Sequence, residues 1–215
     1  TPLLLNKGYH VKVIDNLSFG GEALIPFFSY PNYSFQNGDI RDVSSMKQAL
    51  DGIDCIIHLA GIVGYPACRK YPKESREINL DANRLLLELA SKEQLILYAS
   101  TGSTYGELIG ELCTETTPLN PLTDYGKQKL EAEEMIMNRG NAVSFRFATA
   151  YGVSPRLRLD LLINDFTFKA VKDKTLIVYE KHFMRTFIHV RDMARSFLFT
   201  LEHFDTMNDE VYNVG

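Results

Sequence analysis

Apolar and polar positions follow two different periods along this chain. Short apolar-rich runs predict β-strands over 9–15, 33–39, 53–61, 94–100 and 142–148. Between them, apolar residues recur at the three- and four-residue spacing of a helix over 44–50, 75–92 and 124–140. Because the last three strands are apolar on both faces and helical patterns follow strands, the chain predicts a parallel sheet with helices on both sides.

The predicted fold class is therefore α/β, a doubly wound parallel sheet whose ligands bind beyond the carboxyl ends of the strands. From about residue 151 the pattern changes. A Pro-bearing loop leads into a helix, "TLIVYEKHFMRTFIHV" is again strand-like, 191–204 is helical, and 211–215 predicts one more strand. We interpret 1–150 as the main sheet domain and 151–215 as a substrate region interleaved with the last strands.

Composition limits the possible partners and compartments. The 215 residues are 45% hydrophobic and 23% charged, with a net charge of −4. This is ordinary globular composition, without the positive field that nucleic acid or an anionic membrane would need. No apolar run is long enough to predict a membrane span, and no signal peptide is visible. Cys55, Cys68 and Cys113 are odd in number and form no metal-ligand spacing, so we expect free thiols in the cytoplasm and no bound metal.

Acidic residues end the first two predicted strands. Asp15 could accept both ribose hydroxyls of an adenosine and would repel a 2′-phosphate, or it could simply end its strand in an Asp-Asn turn. Asp39 could receive an adenine amino group, with Ile40 packing on the ring. Alternatively, Asp39 forms a turn before a helix N-cap at Asp42.

Small and polar residues follow the next two strands. Ala60 and Gly61 would let a ligand approach the backbone closely, and Asn79 is unfavourable inside a helix unless its amide is used. His58 is better interpreted as a core histidine than as a base. Hydroxyls follow the fourth strand, and they suit either a substrate oxygen or plain turn chemistry: Ser100, Thr101, Ser103 and Thr104.

Tyr125 and Lys129 begin the third predicted helix. Four residues apart, their side chains share one helix face. A lysine ammonium beside a phenol favours phenolate and lowers the phenol's pKa, which would make Tyr125 a general base. An aromatic and a charged residue on a solvated surface is the alternative interpretation.

Taken in order, these motifs resemble the extended short-chain dehydrogenase/reductase family, in its NAD-dependent nucleotide-sugar epimerase/dehydratase branch. The resemblance covers nearly the whole chain: "VIDNLSFG", "GDIRD", "IIHLAG", "EINLDAN", "YASTGSTYG", "DYGKQKLEAE", "RFATAYG", "RTFIHVRD" and "VYNVG". It implies a Rossmann-like NAD-binding domain over 1–150, a partial substrate-binding region over 151–215, and a nucleotide-diphosphate sugar as substrate.

The resemblance also implies roles for individual residues. Tyr125 would be the base, Lys129 its electrostatic partner, and Thr101 the catalytic hydroxyl. The residues implied to hold NAD are Asp15, Asn16, Asp39, Ile40, Leu59, Ala60, Gly61, Asn79, Ser100, Tyr125, Lys129 and Ala148. The residues implied to hold the sugar nucleotide are Thr101, Thr149, Tyr179 and Arg185, of which Arg185 would grip the diphosphate.

The sequence departs from the family pattern in three places. Asp15 stands too early for a Gly-rich phosphate turn to precede it by about 20 residues, so we expect that turn and the first strand before residue 1. The substrate region also stops early, which suggests a piece of a longer enzyme. Thr149 stands where many relatives have Asn, and Arg156 or Arg158 could add phosphate contacts.

The resemblance favours epimerisation but leaves alternatives open. Related dehydratases carry an Asp-Glu pair where this chain has Gly102 and Ser103, which disfavours loss of water. A nucleotide-sugar dehydrogenase or reductase would use the same three catalytic residues, and a non-catalytic binding homologue is a further alternative. Relatives commonly form homodimers through a four-helix bundle, to which 75–92 and 124–139 would contribute here.

Overall fold

Strands form where the apolar runs predict them, with shorter bounds. The computed structural model describes residues 1–107, 112–182 and 184–215. Its strands are β1 (Val11–Asp15), β2 (Tyr33–Asn37), β3 (Cys55–His58), β4 (Leu95–Thr101), β5 (Ala142–Phe147), β6 (Thr149–Tyr151), β7 (Phe187–His189) and β8 (Val211–Val214).

Helices occupy most of the segments between the strands. They are α1 (Pro2–Asn6), α2 (Val43–Leu50), α3 (Tyr65–Lys70), α4 (Pro72–Arg76), α5 (Ala82–Leu89), α6 (Asp124–Arg139), α7 (Leu162–Lys172), α8 (Val190–Glu202) and α9 (Phe204–Met207). Asp42 caps α2 by accepting a hydrogen bond from the Ser45 amide at 2.6 Å, as its N-cap interpretation predicts.

All strand pairs in the described residues are parallel, which confirms the α/β class. The largest sheet has the order β3-β4-β5-β8, while β1 pairs with β2 and β6 pairs with β7. Within the described chain, β1 and β3 are not hydrogen-bonded to each other.

The central strand β4 shows why its apolar run is continuous. Ile96 and Tyr98 point to the side covered by α6, where Ile136 packs on them. Leu97 points to the opposite side, where Phe197 of α8 belongs to the same cluster. Both faces of β4 are therefore buried, and its carboxyl end is held between two packed layers.

Two predicted elements differ from the structure. The helical pattern of 75–92 is divided by a π-helical turn, Glu77–Asp81, between α4 and α5. The prediction of strand structure after α7 is wrong for residues 176–179, which form no strand and are exposed. Tyr179 is 80% exposed. The apolar side chains of this segment have no sheet to cover, so β-propensity alone does not make a strand there. No helix in the described residues is long and apolar enough to span a membrane.

Two glycines with positive φ provide a test of the turn that follows β4. A Cβ on Gly106 (φ +78°) would collide with the Asn120 carbonyl, whereas one on Gly52 (φ +68°) meets nothing within 4 Å. Gly52→Ala should cost only the left-handed backbone strain, about 1–2 kcal/mol. Gly106→Ala should lower the free energy of unfolding by clearly more in urea titrations. Equal losses would contradict the packing described here.

Candidate active site

The first turn of α6 packs directly on the turn that follows β4. Thr123 caps α6 by accepting a hydrogen bond from the Gly126 amide at 3.1 Å. A Cβ on Gly126 would lie 2.9 Å from the Ser103 carbonyl oxygen, so only glycine permits this close approach. The consequence is that Tyr125 is brought against the turn that begins at Thr101.

Tyr125 is a buried phenol rather than a surface one. It is 9% exposed, and burial raises its pKa to about 12, while the nearby Thr101 hydroxyl and the charge of Arg158 act in the opposite direction. In the chain alone, Tyr125 therefore does not have the lowered pKa that the sequence interpretation expects. Removing water from the phenolate outweighs the neighbouring charges.

Lys129 is buried in the same site. Its Nζ atom lies 4.0 Å from the centre of the Tyr98 ring, a cation–π contact. Burial lowers the pKa of Lys129 to about 7, because the ammonium loses most of its hydration. A lysine with this pKa is only partly charged at neutral pH.

Two further polar groups lie at the carboxyl ends of β3 and β4. His58 is 6% exposed and stacks on Tyr98, with ring centres 6.0 Å apart, and burial followed by the charge of Lys129 lowers its pKa to about 3. His58 is thus a neutral core residue, as its sequence interpretation expects. Ser100 is 5% exposed, and its Oγ has no hydrogen-bond partner in the described chain. Such a buried hydroxyl is available to a ligand.

Asn79 lies in the π-helical turn and uses its whole amide. Its Oδ1 accepts from the Ile62 amide at 2.8 Å, and its Nδ2 donates to the Ile62 carbonyl at 2.9 Å and to Gln128 Oε1 at 3.1 Å. A Cβ on Gly61 would lie 3.1 Å from Asn79 Oδ1. Asn79 therefore fixes the loop after β3 to α6, and this leaves Leu59 and Ala60 exposed at the sheet edge.

The acidic residues after β1 and β2 already have partners. Asp15 Oδ1 accepts from the Leu17 amide at 2.7 Å, which is the turn interpretation. Asn16 donates to Asp39 at 3.2 Å, and Arg41 donates to both Asp39 oxygens, so the pKa of Asp39 lies well below its usual range. An adenine amino group would share Asp39 with Arg41. Ile40 is 9% exposed and packs in the core under α2.

The residues expected to hold the sugar nucleotide are less well brought together. Thr149 begins β6, and Ala148 donates its amide to the Val214 carbonyl at 2.9 Å. Tyr179 and Arg185 are both exposed and lie in the segment before β7. Arg185 forms no ion pair with the described residues, and its role stays a prediction.

Some residues that shape the site were not picked out from the sequence. Gln128 links Asn79 to α6, and Gly126 permits the close packing of the helix start. Arg158, which the sequence indicated only for phosphate contacts, acts by its charge on Tyr125, although its guanidinium is paired with Asp160 at 2.6 Å. The spacing of Gln128, three residues after Tyr125, was the available signal.

A family model for the NAD dependent epimerase/dehydratase family matches residues 1–215. This decides the classification. The chain belongs to the NAD-dependent epimerase/dehydratase family. Within described residues the structure contains no cluster of three or more His, Cys, Asp or Glu residues that could hold a metal ion.

Known members of the epimerase/dehydratase family resemble the chain along its whole length. A putative UDP-glucose 4-epimerase of Methanocaldococcus jannaschii is 27% identical over 99% of the chain and 70% of its own length. A dTDP-glucose 4,6-dehydratase of Streptomyces niveus is also 27% identical, over 98% of the chain and 64% of its length. The UDP-glucuronic acid 4-epimerase of Bacillus cereus, solved with UDP-glucuronic acid and NAD, has a TM-score of 0.86 at 27% identity, over 100% of the chain and 72% of that structure.

The residues present fit an adenine dinucleotide at the carboxyl edge of the sheet. Asp15 is exposed, and its Oδ2 accepts no hydrogen bond from the described residues. In the loop after β3, the small residue Ala60 is exposed. Ser100 Oγ is buried and unpaired there, and the Lys129 ammonium faces an aromatic ring instead of a carboxylate. These are the groups that a ribose and a nicotinamide would satisfy.

Burial of Lys129 should make stability depend on pH. Its pKa is about 7 when folded and 10.5 ordinarily, so between these values the unfolded chain binds more protons and the free energy of unfolding rises with pH. Lys129→Met removes this slope. Its stability relative to the native chain should fall by on the order of 3 kcal/mol between about pH 6.5 and about pH 9.5.

Urea titrations at the two pH values measure this difference. Lys127→Met, an exposed lysine on the same helix, is the matched control and should show no such change. A pH-independent difference between Lys129→Met and the native chain would mean that Lys129 is not desolvated.

Proposed function

We propose that the protein catalyses NAD-dependent epimerisation of a nucleotide-diphosphate sugar. The observation that carries this proposal is the position of Tyr125, which is buried at the start of α6 against the turn that begins at Thr101, one helical turn from buried Lys129. A pure binding protein has no need for a buried phenol beside a buried amine. Family membership supports the same class of reaction.

In the proposed reaction, Tyr125 removes the proton of a sugar hydroxyl. NAD⁺ bound beside Ser100 and Lys129 would supply reversible acceptance of the hydride from the sugar carbon, and return of that hydride to the opposite face would invert the carbon. Because the pKa of Tyr125 is about 12 in the chain alone, the phenolate needs additional positive charge around it. Lys129 and Arg158 provide part of that charge, and Thr101 orients the sugar oxygen by a hydrogen bond.

The region 151–215 and strand β6, which begins at Thr149, supply the proposed substrate contacts. Arg185, with its forked donors, suits a diphosphate, Tyr179 offers a face to a nucleotide base, and Thr149 can donate one hydrogen bond. The exposure of Tyr179 and Arg185 leaves both side chains accessible to a ligand. We propose these three residues as the sugar-nucleotide contacts.

The turn after β4 supports epimerisation over dehydration. Elimination of water needs an acid and a base next to the hydroxyl residue. Here Gly102 has no side chain, and the Ser103 hydroxyl hydrogen-bonds Thr101 Oγ1 at 3.2 Å. The turn itself therefore provides no carboxylate. Dehydratases among the relatives keep dehydration as the second candidate, and a dehydrogenase or reductase would use the same three residues.

We also propose that the protein is a homodimer that pairs through α5 and α6. In a single chain, Leu85, Leu86 and Leu89 pack under α2 and Leu87 packs beside α6. The exposed positions of the two helices are largely acidic: Glu88, Glu131 and Glu134. A four-helix bundle would therefore need polar contacts between the copies, and sedimentation of the protein would measure its mass.

Tyr125→Phe should lower the epimerisation rate by about a hundredfold or more, because it removes the base while keeping the packing of the ring. The rate is measured with a UDP-sugar in the presence of NAD⁺. Tyr9→Phe, which changes an exposed phenol outside the site, should keep the native rate. Full activity of Tyr125→Phe would refute the role of this residue.

Products from a panel of UDP- and dTDP-sugars should distinguish the candidate reactions. An epimerase interconverts two sugars of equal mass and accumulates no NADH, because the hydride returns in each cycle. A product lighter by one water would establish dehydration, and net NADH would establish a dehydrogenase. Absence of turnover with every sugar, together with retained binding, would favour a binding homologue.

A further inference from the structure

A stripe of three buried side chains runs along α6 at four-residue intervals: Tyr125, Lys129 and Glu133. Glu133 is 2% exposed. A carboxylate four residues after a lysine is normally a good ion-pair partner for it. Yet the structure shows no ion pair between Lys129 and Glu133.

Glu133 forms its ion pair with Arg146 of β5 instead. Its guanidinium donates to Glu133 Oε1 from Nη2 at 2.6 Å and from Nε at 3.0 Å, and Ser144 Oγ donates to Glu133 Oε2 at 3.0 Å. The side chains of Arg146 and Glu133 are only 6% and 3% exposed. Both carboxylate oxygens therefore have hydrogen-bond partners other than Lys129.

Arg146 is itself held from a second direction. Its Nη1 donates to the Tyr105 hydroxyl at 2.9 Å and to the Glu115 carbonyl at 3.1 Å, and Tyr105 in turn donates to Asn213 at 2.6 Å. Tyr105 ends the turn that begins at Thr101. The guanidinium thus connects the helix that carries Tyr125 with the turn that carries Thr101.

Lys129 is left against an aromatic surface. Among the described residues, the titratable groups that face it are Tyr98 from β4, His58 from β3, and Tyr125 and Glu133 from its own helix. His58 is neutral and both phenols keep their protons, so Glu133 is the one negative charge of this set. The pairing of Glu133 is therefore what can change the attraction between its negative charge and the Lys129 ammonium.

We propose that Arg146 is a positioning residue: by pairing with Glu133 it prevents Glu133 from drawing the Lys129 ammonium away from the Tyr98 ring and the site. The significance of this role for catalysis rests on the proposed function. The electrostatic effect of Arg146 and Glu133 on Lys129 is a property of the chain alone. If the pair had no influence on Lys129, removal of neither Arg146 nor Glu133 would change the ionisation of Lys129.

The test is the titration of Lys129 by NMR in the coenzyme-free protein, using ¹³C-labelled lysine and assigning its signal by its loss in Lys129→Met. Arg146→Met frees Glu133, so the Lys129 midpoint should rise by about one pH unit. Glu133→Gln leaves Arg146 as an unbalanced positive charge, so the midpoint should fall by a similar amount. Removing both charges in Arg146→Met/Glu133→Gln should return it towards the native value.

The matched control is Glu131→Gln, which breaks the exposed ion pair of Arg84 with the same helix and should leave the midpoint unchanged. Shifts of the same sign in the two single variants, or none in either, would overturn the proposal. If Arg146→Met does not fold, the comparison of Glu133→Gln with the double variant decides. Failure of the double variant to restore the midpoint would then overturn it.

Epimerase assays of the same variants separate this proposal from the proposed function. Opposite shifts of Lys129 in a protein that turns over no sugar nucleotide would keep the positioning role and reject epimerisation. Native epimerisation with an unmoved Lys129 midpoint would do the reverse. Arg146→Lys, which keeps the charge, should retain the native midpoint and most of the activity.

Discussion

The desolvation of the Lys129 ammonium is the constraint on which the site depends. Water would stabilise this charge far better than the aromatic ring beneath it, and the drop of its pKa to about 7 expresses that cost. The same exclusion of water makes the phenolate of Tyr125 unfavourable without added positive charge. In the reaction that we propose, the positive charge of the coenzyme would therefore have to help stabilise the phenolate.

The sequence predicted the layered α/β architecture well because its signals were local. β4 is apolar on both faces, and Asp42 begins α2 with a side-chain cap, so periodicity and this cap indicated the right elements. The run at 176–179 was misjudged for the opposite reason. Its residues favour strands, but β-structure requires a neighbouring strand, and that is a property of the fold and not of the segment.

The candidate site divides in the same manner. Spacing along one helix placed Tyr125 and Lys129 together, and the motif order placed Thr101 beside them. The sign of the Tyr125 pKa shift was not predictable, since it depends on how much water the packed layers exclude. The pairing of Arg146 with Glu133 was equally hidden, because it joins a strand and a helix 13 residues apart in sequence. Long-range burial, rather than residue type, decided both outcomes.

The π-helical turn at Glu77–Asp81 lets one helix both contact the loop after β3 and pack on the sheet. The Asn79 carbonyl accepts from the side chain of Asn83 at 2.8 Å, so the widened backbone is bridged by an amide group. The additional residue of the π-helical turn changes the rotation of the helix that follows it. Asn79 can therefore face the loop after β3, while the later leucines of α5 still pack towards the sheet. Substitutions in the part of this helix that faces the loop can therefore leave the packing of its apolar part unchanged.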